Sequence, residues 1–225
     1  MRIFLPCRKG SERVPKKNIR PFGGASHGLL GIKLEQLLSI PSINEIILSS
    51  NDEAVFSIAK HYNHDGRIRL DHRPESLASS STSTDSLIEY VPSIIEEGDI
   101  LWTHVTSPFC NASVYEEAIR CYAQSQKEGF DSLMSVTEIR KFIWNKAGPV
   151  NYDAKHEKWP RTQTLEPLYE VNSAIFIAPV VSYLERKDRI GDRPYLFKLN
   201  ARQSFDVDWP EDFELAENMW THEKA

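Results

Sequence analysis

Short apolar runs alternate with amphipathic segments along nearly the whole chain, and this rhythm constrains the fold more than any other feature. "RIFLPC" (2–7) is a buried strand bounded by a polar loop, and "LLGIKLEQLLSI" (29–40) carries leucine and isoleucine at helical spacing. "INEIILSS" (43–50) is a second strand, and "NDEAVFSIAKHY" (51–62) is a helix with Asn51 as its cap and acids in its first turn. "RIRL" (67–70), "DILWTHV" (99–105) and "FDSLMSVT" (130–137) are further strands. Between them lie helices over 84–97, kinked at Pro92, and over 111–126, opened by Asn111. Residues 138–170 hold turn signals and little periodicity, so they read as an excursion from the main domain. "VNSAIFIAP" (171–179), "YLFKLN" and "SFDVD" read as strands, with a short helix at 180–187. "PEDFELAENMWTHEK" is a closing helix with Pro210 in its first turn.

This alternation predicts an α/β fold, a single domain over 1–225 with a mostly parallel sheet covered on both faces. In such sheets ligands bind beyond the C-terminal ends of the strands. The loops 8–24, 71–83, 104–111 and the segment ending at Asp208 are therefore where a site is expected. A net charge of −5 argues against a broad nucleic-acid or membrane surface. No apolar stretch approaches the ~20 residues needed to span a bilayer, and no signal pattern opens the chain. Cys7, Cys110 and Cys121 are odd in number and lack zinc-type spacing, which fits reduced thiols in a cytoplasmic protein.

Against this mildly acidic background, Arg8, Lys9, Arg13, Lys16, Lys17 and Arg20 crowd around Gly10, Ser11 and Pro15. Such a loop is either a solvated basic turn or a cradle in which backbone N–H groups and cations receive a polyanion. No glycine precedes a "GK[ST]" run, so a P-loop ATPase is excluded. In "FDVDWPEDFELAE", Asp206 and Asp208 share one face of an extended segment. They are either a helix-capping aspartate and its neighbour or a hard oxygen pair suited to Mg²⁺. Phosphate, cations and a magnesium site together are the equipment of phosphoryl or nucleotidyl transfer. "RPESLASSSTSTDS" offers Arg73 and several hydroxyls, and "THVTSPF" places His104 at the rim of the sheet. A serine loop capping a helix and a structural histidine are the plain alternatives.

Five segments, in order, resemble the acylneuraminate cytidylyltransferases and their relatives that activate other nine-carbon acid sugars. The family opening "ARxGSKxxPxKN" is similar to "CRKGSERVPKKN", "RPxxLAxxxxS/T" to "RPESLASSSTST", and "QPTSPLR" to "HVTSPFC". "NGAIYI" is similar to "NSAIFI" and "DIDTxxDxxxAE" to "DVDWPEDFELAE". The resemblance implies a Rossmann-like nucleotidyltransferase sheet that uses CTP, transfers CMP to a small-molecule acceptor and releases pyrophosphate. It implies catalytic roles for Arg8, Lys17, Asp206 and Asp208, with both aspartates holding Mg²⁺. Arg8, Gly10, Ser11, Lys17, Asn18, Arg73 and Thr84 would bind the nucleotide, and residues 138–170 would be the arm through which such enzymes form homodimers.

The departures fall unevenly. Glu12 replaces the lysine of "GSK", with Arg13 beside it; His104 replaces the glutamine of "QPTSP"; Cys110 replaces the arginine of "TSPLR". Glu170 stands where the family has an arginine two residues before its asparagine, here Asn172. That arginine would pair bidentately with a sugar carboxylate, which Glu170 would repel. The acceptor side would thus be built from His104, Glu170 and Asn172, and altered toward something other than plain N-acetylneuraminate. A catalytically silent nucleotide-binding relative and a transferase using another base are the competing readings.

Overall fold

The computed structural model describes residues 1–79 and 82–224, so Ser80 and Ser81 of the serine-rich stretch lie outside the described residues. The elements are β1 (Arg2–Pro6), α1 (Gly28–Leu38), β2 (Glu45–Ser50), α2 (Glu53–Tyr62), β3 (Ile68–His72) and α3 (Thr84–Tyr90). They continue with β4 (Asp99–Trp102), α4 (Ala112–Ser125), β5 (Ser132–Ile139) and a hairpin of β6 (Trp144–Asn145) and β7 (Gly148–Pro149). Then follow β8 (Leu168–Pro179), α5 (Val180–Glu185), β9 (Pro194–Lys198) and α6 (Pro210–Lys224).

The main sheet runs β3-β2-β1-β4-β8-β5-β9. Its strands are parallel except β8, which is antiparallel to both β4 and β5. Alternation of side chains along each strand divides the core into two layers. Ile3, Leu5, Leu48, Leu101, Ile175 and Ile177 face α1, α2, α4 and α6, while Phe4, Ile47, Trp102 and Phe176 face α3 and α5. Burying each such side chain contributes about 1.5–3 kcal/mol, offset by the entropy of ordering the chain. Gly28, with φ +60°, opens α1 against the loop after β1, because a Cβ there would lie 2.2 Å from the Arg20 carbonyl.

The caps differ in part from those read from the sequence. Asn111 caps α4 by accepting from the Val114 N–H, as expected. Asp52 caps α2 rather than Asn51, accepting from Ala54 N at 3.0 Å. Asn51 instead ties two loops, accepting from Lys9 N at 2.9 Å and donating to the Glu75 carboxylate. The helix expected over 84–97 ends at Tyr90 and tightens into a 3₁₀ turn over Val91–Ser93, since Pro92 has no N–H to donate. "SFDVD" is not a strand: it has no sheet partner beyond one hydrogen bond from Val207 N to the Thr106 carbonyl, 2.9 Å long. β5 and β8 take in residues 138–139 and 168–170, so the irregular excursion spans 140–167.

Candidate active site

The loop after β1 and the segment before α6 meet, although nearly the whole chain separates them. Lys17 Nζ donates to the Val207 carbonyl at 2.6 Å and lies 3.2 Å from Asp208 Oδ1. Arg13 lies 3.6 Å from Asp208 Oδ2 and stacks on Trp209, 4.4 Å from its ring centre. Val207 is buried and held from both sides, by Lys17 and by the Thr106 carbonyl, while half-buried Asp206 and exposed Asp208 on either side of it both line the adjoining cavities. Asp212, in the first turn of α6, reaches back to accept from Asp208 N at 3.1 Å and Trp209 N at 2.8 Å. That is half of a capping box, and it fixes the direction in which Asp208 leaves the backbone.

Three adjoining cavities share this segment. One of about 330 Å³ is lined by Arg8, Ser11, Arg13, Lys17, Asn18, His104 and Asp208. The next, about 440 Å³, is lined by Arg8, Arg73, Thr84, Trp102, His104, Ser173, Arg189, Asp206 and Asp208. The third, about 480 Å³, is lined by Glu170, Asn172, Ser173, Asp206 and Asp208. Gly10 sits on the far side of its loop, beside Asp52 and Val55, where its carbonyl accepts from Arg8 Nη1 at 2.9 Å. Its φ of +78° suits the tight turn.

Several side chains are already committed. Arg73 is buried and donates to Ser49 through Nε (3.0 Å to Oγ) and Nη2 (2.8 Å to the carbonyl). Asn172 bridges to β5, accepting from Ser135 Oγ at 2.6 Å and donating to Thr137 Oγ1 at 3.1 Å. It therefore braces a register shift between Met134 and Val136. Beside it Ser173 takes φ +59°, the left-handed conformation for which the related motif has glycine. His104 Nε2 accepts from Trp102 Nε1 at 3.0 Å. Burial, then the nearby Arg189 and Arg73 guanidinium groups, push His104 down to about 3, so it is a neutral imidazole that keeps its proton on Nδ1. Burial raises the Asp206 carboxyl above its ordinary range; a hydrogen bond from Thr106 opposes this and Asp208 adds to it.

Two residues lining the second cavity escaped the sequence. Arg189 follows α5, outside any motif, and nothing local marks it. Ser173 was quoted within "NSAIFI", but its backbone strain is invisible without coordinates.

The family model described as Cytidylyltransferase matches residues 3–224. The chain is 28% identical to a pseudaminic acid cytidylyltransferase of Campylobacter jejuni over 99% of this chain and 97% of that protein. It is 27% identical to an N-acylneuraminate cytidylyltransferase of Escherichia coli over 95% of this chain and 50% of that protein. Among solved structures, a CMP:2-keto-3-deoxy-manno-octonic acid synthetase complexed with CTP superimposes with a TM-score of 0.66 at 14% identity. That match covers 98% of both chains and attests the fold. On the family match across nearly its full length, this chain belongs to the cytidylyltransferase family.

Proposed function

We propose that this protein transfers CMP from CTP to a hydroxyl of an acid sugar of the sialic, or nonulosonic, class and releases pyrophosphate. The observation that carries this reading is the meeting of Lys17 with Val207 and Asp208, which brings the basic loop and the acidic pair to one cleft. The acid-sugar part draws on the relatives, named for pseudaminic acid and N-acylneuraminate. In the reaction the acceptor oxygen bonds to the α-phosphorus and the bond to the β-phosphate breaks. Arg8, Lys17 and Arg13 stabilise the charge that grows on the leaving pyrophosphate, and Arg73, Thr84 and the Ser11–Asn18 loop orient the nucleotide.

Asp206 and Asp208 fit a magnesium ion. Their carboxylates line the same cavity. No group of three His, Cys, Asp or Glu among the described residues could hold a metal by itself. Two carboxylates completed by phosphate oxygens and waters are how Mg²⁺ is usually held. When bound, the ion would neutralise phosphate charge as the α-phosphoryl group is transferred.

Glu170 on the third cavity favours an acceptor functionalised differently from N-acetylneuraminate. We place homodimerisation on the excursion at 140–167, where Trp144 and Trp159 are 58% and 69% exposed. A cytoplasmic location accords with a CTP-using enzyme whose three cysteines are free thiols.

The test is pyrophosphate release with each NTP, Mg²⁺ and a panel of acid sugars. Turnover with CTP and an acid sugar supports the reading; preference for UTP or ATP, or tight CTP binding without turnover across the panel, contradicts it. Arg8→Ala and Asp208→Ala are each expected to lower turnover by about 10²–10³-fold, and near wild-type rates in either would remove these residues from the mechanism.

A further inference from the structure

We infer that Arg189 is the specificity-determining residue that receives the acceptor's carboxylate, in place of the arginine that Glu170 displaces. This rests on the reading that the acceptor is an acid. Three observations lead to it. First, Arg189 lines the second cavity together with His104, Ser173, Asp206 and Thr84. Second, its guanidinium carbon lies over Phe176, 3.7 Å from the ring centre, with Trp102 at 5.0 Å, and its Nη1 has no hydrogen-bond partner among the described residues. A buried guanidinium with an unmet donor is costly unless something completes it. Third, its backbone is anchored before any ligand arrives. Asp188 Oδ1 accepts from Arg189 N at 2.7 Å, Ser132 Oγ from Gly191 N at 2.8 Å, and Asp131 from the N–H groups of Asp192 and Arg193.

The neighbours complete an anion site. The Trp102 indole occupies His104 Nε2, which leaves the Nδ1–H as a donor. Ser173 brings a hydroxyl to the same cavity, at the cost of a left-handed backbone. A planar guanidinium flanked by two neutral donors matches a carboxylate. Phosphates would meet Arg13 and Lys17 in the first cavity, with Arg8 shared between the first and the second.

The experiment compares wild type with Arg189→Gln and Arg189→Lys. Tryptophan fluorescence follows binding of nine-carbon 2-keto acid sugars and their methyl esters in the presence of CMP, and pyrophosphate release gives KM for acceptor and for CTP separately. Wild type should bind acid over ester. Arg189→Gln should raise the acceptor KM about 10–100-fold and abolish that selectivity with the CTP KM within about twofold. Arg189→Lys should recover part of the loss and covers the case in which the glutamine variant does not fold. An unchanged acceptor KM, an effect falling on CTP instead, or a wild type indifferent between acid and ester would overturn the inference. Acid-selective binding without pyrophosphate release would leave the subsite standing and sink the transfer reaction.

Discussion

Lys33 is a fully buried cation on α1 whose ammonium donates to the Ser107 carbonyl (2.9 Å), the Cys110 carbonyl (2.9 Å) and Tyr115 Oη (2.8 Å). It clamps the loop after β4, whose Thr106 carbonyl in turn holds Val207 between the two aspartates. Burial lowers Lys33 to about 8 from 10.5, so between those values the unfolded chain binds a proton that the native protein does not. The contribution of Lys33 to native stability therefore rises with pH across that window, by an amount of the order of 3 kcal/mol, and its cost is fully present below pH 8. Chemical denaturation of wild type and Lys33→Met from pH 7.5 to 10.5 should show the stability of wild type minus that of the variant becoming more positive with pH, the titration of the buried cysteines cancelling between the two. A constant difference would mean that the ammonium is not held in this cage. The same residue shows where sequence reading stops. A lysine amid "LLGIKLEQLL" looks like a solvated position, and only the tertiary fold supplies the carbonyls that take it inside.

Among the elements, β8 carries the most unusual local geometry. Its C-terminal half sits between β4 and β5, while Leu168–Val171 pairs with β5 alone, and the kink between them falls at Ser173. Ser173→Gly should relieve the left-handed strain and raise stability by about 0.5–1 kcal/mol after the extra freedom of glycine in the unfolded chain is counted. It should also weaken acceptor binding by removing a hydroxyl from the cavity. Urea melts and steady-state kinetics check the two halves, and a destabilised variant would show that the conformation is not strained. The strands and helices around β8 were readable because each buries a face with its own period, 2 or about 3.6. "SFDVD" misled because Phe205, Val207 and the alternating aspartates imitate a strand. Tertiary clamps from Lys17 and Thr106, not a ladder, hold it extended. The basic loop and the aspartate pair could each be picked out, but their convergence depends on strand order, which pairs β1 directly with β4.

At the scale of the molecule, the cleft is lined by loops at the C-terminal ends of parallel strands on one side and by an antiparallel strand on the other. The excursion hangs from that antiparallel strand, stiffened where Asn151 accepts from Ile143 N and donates to the Lys141 and Glu166 carbonyls. Its exposed Trp144 and Trp159 make it a candidate contact surface. Sedimentation of the wild type should give about twice the 25.8 kDa of one chain. Trp144→Ser with Trp159→Ser should shift it toward the single chain, and a monomeric wild type would refute dimerisation through the excursion.

Because β8 is core strand, cleft wall and stem of the excursion at once, residues 170–173 form a short cassette between two otherwise fixed parts. On the proposed reading the nucleotide grip lies elsewhere, within residues 8–84 and again at 206–208. On that reading, changes at a few neighbouring codons there, together with position 189, would alter which acid sugar is accepted while the nucleotide half of the site is inherited whole. If the pyrophosphate assay bears it out, an engineer seeking a new CMP-linked sugar has a correspondingly small set of positions to vary.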